Sequence, residues 1–103
     1  MPKNPDYFIN FLPEAREDVR EIVLWYRNEK EGLEDRFLLS LQAAINSIVI
    51  HPHHYQITFD MIRTVTLKRF PYRVHYFIEE TEVRVLGIIH AKRNPKLIRK
   101  RIK

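Results

Sequence analysis

The sequence predicts an α+β domain in the order β-α-α-β-β-β, with an antiparallel sheet packed on a helical hairpin. Three observations predict it. Two stretches in the first half repeat their apolar residues at helical spacing, three stretches in the second half alternate with period two, and one short apolar run precedes the first helix.

Tyr7 to Leu12 is the opening run, an aromatic and aliphatic strand closed by Pro13, a residue suited to the first turn of a helix. From Glu14 the positions Ala15, Val19, Ile22, Val23 and Tyr26 trace one helical face. Glu14, Glu17 and Asp18 place negative charge at the positive end of that helix dipole. Asn28 to Gly32 interrupts the pattern. A second helix follows through Phe37, Leu38, Leu41, Ala44, Ile45 and Ile48, and His51-Pro52 stops it. After a polar loop from Pro52 to Asp60, strands are expected over 62–67, 72–78 and 83–89. Glu79 to Glu82 is short enough to make the last two an antiparallel hairpin. Beyond Asn94-Pro95, Leu97, Ile98 and Ile102 among basic residues suggest a short C-terminal helix or a tail that orders on binding.

A length of 103 residues sets the expectation of one domain over residues 1–103. A composition 45% hydrophobic and 30% charged is that of a folded chain rather than a disordered one. Cysteine is absent from the sequence, which excludes disulfides, thiolate metal sites and thiol nucleophiles. The start, Met1 to Asp6, has no apolar signal core, and the longest apolar runs are too short for a bilayer, so a soluble cytoplasmic protein is expected.

The net charge of +5 is unevenly spread. Residues 1–60 hold six Lys/Arg against ten Asp/Glu, whereas residues 61–103 hold twelve against three. Nothing from His90 onward is acidic. Such a field steers a protein towards phosphate backbones or towards an acidic protein partner, and charge alone does not separate the two.

Strict alternation sorts the last hairpin into two faces. Tyr72, Val74, Tyr76, Ile78, Val83, Val85 and Ile89 form the face expected to receive the helices. Arg73, His75, Phe77, Arg84, Leu86, Ile88 and His90 form the other, a cationic and partly aromatic face left open by the two helices. Lys68 and Arg69 enter one strand and Lys92 and Arg93 leave the other, adding charge near Arg73 and His90. Guanidinium groups bind phosphate or carboxylate bidentately and imidazole transfers protons near neutral pH, so this set can grip RNA or an acidic partner.

Elsewhere blander readings are preferred. His51, His53 and His54 read as a helix stop and exposed loop rather than a metal site. Trp25 and Tyr26 read as packing, His75 as a structural histidine, and Arg84 beside Glu82 as a surface pair. Arg63 is expected to flank the basic patch. No cofactor is expected.

Phe8 to Glu14, Trp25-Tyr26, His51-Pro52, Leu67 to Arg73 and Val85 to Pro95 together make the chain resemble the ParE/RelE toxin superfamily, over about residues 7–95. The resemblance implies a stable toxin of a type II toxin–antitoxin, or plasmid stabilisation, pair. A labile acidic antitoxin encoded beside it neutralises it, and a toxin–antitoxin heterotetramer is one possible assembly. Two targets occur in such families: the RelE branch cleaves mRNA on the ribosome, and the ParE branch poisons DNA gyrase. Arg73 matches a phosphate-binding arginine of the RelE branch and Arg93 falls near its second, with His90 as a substitute acid or base. Lys68, Arg69, Arg73, Phe77, Arg84, Lys92 and Arg93 are the residues expected to meet target or antitoxin. The RelE branch also keeps a tyrosine in the C-terminal tail, and this chain has none after Tyr76. That departure favours the ParE branch over the nuclease. A non-toxic basic nucleic-acid-binding domain is the competing class.

Overall fold

The structure is a computed structural model describing residues 6–102. Residues 1–5, read above for a signal core, lie outside the described residues, as does Lys103. The chain runs β1 (Phe8–Phe11), α1 (Pro13–Glu29), α2 (Leu33–Ile50), β2 (Ile57–Phe59), β3 (Ile62–Thr66), β4 (Tyr72–Glu79) and β5 (Glu82–His90). A C-terminal 3-10 helix, Pro95–Arg101, follows.

The helical hairpin forms where the periodicity placed it. Pro13 opens α1 with Glu14 in its first turn, and Ala15, Ile22 and Tyr26 are its buried residues. Gly32, at φ +85°, adopts the left-handed conformation that starts α2. Both helices pack on one sheet face around Phe37, Leu41, Ile48, Val65, Val74, Tyr76, Val83, Val85 and Ile88. Tyr26, Phe37, Phe70 and Tyr72 meet edge-on or tilted, with centroids 5.2–6.2 Å apart, in geometries that add attraction beyond burial.

Three features depart from the expectation. The sheet has five strands in the order β1-β5-β4-β3-β2, because Ile57–Phe59 forms a short strand inside the expected loop. It is mixed rather than antiparallel, since β1 lies parallel to β5 with Phe8 opposite Glu82 and Phe11 opposite Val85. Side-chain alternation is blind to strand direction, so the pattern carried no signal for this.

The third departure is a bulge in β5. Tyr76 pairs with Val85 and His75 with Gly87, which leaves Leu86 as an extra residue and inverts the alternation beyond it. Ile88 therefore joins Val74 on the helix face, Ile89 joins Arg73 on the opposite face, and His90 joins Tyr72 on the helix face. That opposite face is not open either. Ile98 of the 3-10 helix, fully buried, closes a second core with Ile62, Leu86 and Ile89.

Candidate interaction surface

The predicted residues separate into two groups. At one end of the β4–β5 ladder, Ala91 N–H bonds to the Pro71 carbonyl at 2.8 Å and ties the turn before β4 to the turn after β5. This brings Lys68, Arg69, Lys92 and Arg93, all exposed, to one basic rim, with Arg73 and His90 just inside it. Phe77 and Arg84 are paired across the strands nearer the other end. Arg84 stacks over Phe77 at 5.5 Å and forms ion pairs with Glu79 and Glu82. Phe77 itself packs on the second core. Those two residues serve the hairpin, and the structure does not add them to the rim.

The bulge separates Arg73 from His90, which had been expected on one face. Arg73 is half-buried on the 3-10 helix side, and its Nε has no hydrogen-bond partner among the described residues. His90 stands on the helix side, its ring edge-on to Tyr72 at 5.4 Å. Its Nδ1 accepts from the Lys92 backbone N–H at 3.1 Å, which leaves Nε2 to carry the proton of the neutral ring. His75 on the Arg73 face is buried and hydrogen-bonded to Thr64 Oγ1 at 3.0 Å. Burial, with the charges of Arg73 and Arg101, pushes its pKa down to about 4. It is a neutral structural group at pH 7, as the sequence suggested.

Arg63 does not flank the rim. Its guanidinium donates to the carbonyls of His53 and Tyr55 at 3.0 and 2.5 Å, and Tyr76 Oη donates to the Pro52 carbonyl at 2.6 Å. Together they pin the histidine-containing loop. Trp25 and Tyr26, read together as packing, part company: Tyr26 is buried while Trp25 is 56% exposed.

Sequence reasoning missed a groove of about 880 Å³ between α2 and the β3 edge. Leu39, Ala43, Ala44, Val65 and Phe70 supply apolar surface, and Arg36, Lys68 and Arg69 supply charge. Among the described residues no acidic side chain lines it. Leu39 is 68% exposed, an unusual place for a large aliphatic on a helix with a buried face. The run Phe37-Leu38-Leu39 held the signal, because one helical face cannot bury three consecutive apolar residues. Among the described residues, β2 and the residue before it pair with β3 only from Ile62 to Thr64, so the groove's edge is open at Val65 and Thr66.

The surface as a whole is basic and partly apolar. Among the described residues no three His, Cys, Asp or Glu side chains cluster to hold a metal ion. No described helix is long and apolar enough to cross a membrane.

Solved structures place the fold among the RelE/ParE-like toxins. The chain superposes on the chromosomal ParDE system of P. aeruginosa with a TM-score of 0.62, at 18% identity, covering 82% of this chain and 96% of that one. The intact E. coli RelBE toxin–antitoxin complex gives 0.61 at 16% identity, covering 84% and 99%. A double arginine-to-alanine variant of free E. coli RelE gives 0.66 at 16% identity, covering 96% and 100%. Among curated sequences no relative matches. The model of the ParE toxin of the type II toxin–antitoxin system parDE matches residues 9–95. The chain belongs to the ParE toxin family.

Proposed function

We propose that this toxin inhibits growth by binding DNA gyrase, in the manner of the ParE branch, and that a cognate acidic antitoxin holds it inactive. The observation that carries this reading is the bulge at Leu86. It sends Arg73 and His90 to opposite faces of the sheet, while His75 is buried and neutral. Cleavage of an RNA backbone needs an acid or base within hydrogen-bond reach of the group it serves and close to the phosphate ligand. Arg73 lacks such a partner in His90, which stands on the opposite face of the sheet.

The antitoxin reading is supported by the groove beside α2. An acidic segment with a few apolar side chains can cover Leu39 and Ala43 while its carboxylates meet Arg36, Lys68 and Arg69. A disordered segment that folds on contact would gain most from such a mixed surface.

The test is controlled expression of the wild type and of an Arg73→Ala/His90→Ala/Arg93→Ala variant, reading growth, RNA ends and gyrase supercoiling on the same protein. Growth arrest with intact mRNA and lost supercoiling is expected. Cleaved mRNA that disappears in the triple variant would instead place the chain with the ribonucleases.

A further inference from the structure

We infer that the cleft between the second half of α1 and the ends of β4 and β5 binds a nucleotide, with Trp25 stacking on the base and Arg93 and His90 holding the phosphate. This site lies on the helix side of the sheet, apart from the α2 groove, and does not depend on the proposed gyrase target.

The cleft measures about 250 Å³ and is lined by Glu21, Ile22, Trp25, Tyr72, His90 and Arg93, among others. Each main group has a place in it. Trp25 is the sole tryptophan of the chain and is 56% exposed, although Ile22 and Tyr26 on the same helix are buried. Its ring is steadied edge-on against Tyr26 at 5.3 Å, so the indole is held in position with much of its surface in water. A fixed, exposed indole is a stacking platform, because every base presents a π-face and gains about tenfold or more in affinity per stacked ring.

The phosphate end is built by the turn after β5. The Arg93 backbone N–H bonds to the His90 carbonyl at 3.0 Å, closing the turn from which both residues line the cleft. Arg93 is exposed and forms no ion pair among the described residues. His90 presents an Nε2–H donor because its Nδ1 is occupied by the Lys92 backbone N–H. A planar fork and an imidazole N–H donor suit a phosphate monoester dianion.

One of the two acidic residues lining the cleft is already neutralised. Asp18 is committed to Arg101 and to the Ile88 backbone N–H. Glu21 alone remains to accept from a ribose hydroxyl or an exocyclic amine, and Lys92 adds a further cation beside Arg93. The ligand class is a nucleoside monophosphate, either free or as the phosphorylated end of a single strand.

Trp25 fluorescence tests this directly on the full chain. Saturable quenching by AMP or GMP is expected, with adenosine and inorganic phosphate each at least about tenfold weaker. By calorimetry, Trp25→Ala and Arg93→Ala should each weaken AMP binding by about tenfold or more, while Lys30→Ala, an exposed charge just past the end of α1, leaves it unchanged. Circular dichroism checks that each variant folds. A 5′-phosphorylated oligonucleotide that quenches where AMP does not would identify a strand end as the source. Adenosine binding as tightly as AMP, no effect of Arg93→Ala, or no saturable quenching by any of these probes would overturn the site. Growth arrest is not a readout here, so failure of this site and failure of the gyrase reading are separately visible.

Discussion

Asp18 and Arg101, separated by 83 positions, form a two-pronged ion pair with contacts of 2.6 and 3.2 Å at the free edge of β5. The edge is free because β1 pairs with β5 only as far as Val85. Asp18 Oδ2 accepts from the Ile88 N–H at 3.0 Å and Arg101 donates to the Leu86 carbonyl at 3.1 Å, so the pair does for this edge what a neighbouring strand would do.

Gly87 makes that closure possible. A Cβ there would lie 2.5 Å from Arg101 Nη1 and 2.7 Å from Ile98 Cδ1. Both atoms are ends of side chains in the 3-10 helix, so Gly87→Ala should release that helix while the sheet persists. A loss of roughly 1–3 kcal/mol is expected. Hydrogen exchange over residues 95–101 should rise far more than over β4, and equal rises in both would contradict this account.

Asp18→Asn probes the same closure from the other partner. It leaves the Arg101 guanidinium partly buried without its counter-charge and should cost about 1–3 kcal/mol. For a chain of this size each kcal/mol lowers the melting temperature by roughly 4–8 °C. An unchanged melting temperature would mean that the pair contributes nothing net.

His75 predicts a dependence on pH. Its pKa is about 4 in the folded chain, chiefly through burial, against an ordinary value of 6.5. Between those two values the unfolded chain binds a proton that the folded chain refuses. Stability from this group is therefore complete above pH 6.5, falls as the pH drops towards 4, and changes no further below that. The full loss is on the order of 3 kcal/mol. Urea midpoints of the wild type should fall between pH 7 and pH 5, and His75→Gln should flatten that fall. An equal fall in the variant would assign it to other groups.

Much of this fold was legible because its two periodicities are clean. The helical faces of α1 and α2 and the alternation of β4 lie where the sequence put them. The bulge was hidden because Val85 to Ile89 contains no polar residue to mark which face each side chain takes. Gly87, a glycine inside a strand, was its single local sign. The same blindness put His90 on the face of Arg73, whereas the chain holds the two on opposite faces. The covered second face was legible only in part: Leu97 and Ile98 suggested an ordering tail, yet nothing in their spacing said where it docks. Trp25 was misread because it is a neighbour of Tyr26 in sequence, while a step of one residue on a helix turns the side chain well off the buried face.

The basic groove yields a prediction that separates charge from fold. Arg69 sits at φ +68°, the left-handed region in which a side chain is strained and glycine is not. Arg69→Gly should leave stability unchanged or raise it by up to about 1 kcal/mol, because relief of that strain offsets the added freedom of the unfolded chain. The same change removes a cation from the groove and should weaken antitoxin binding by several-fold. Leu39→Asp should do more: the residue is 68% exposed, so stability moves by less than about 0.5 kcal/mol, while a carboxylate now faces the acidic partner in the middle of its apolar contact. Calorimetric titration of each variant with the cognate antitoxin, beside urea unfolding of the free toxin, reads both quantities. If Leu39→Asp binds as tightly as the wild type, the antitoxin does not lie in this groove and the exposed leucine needs another partner.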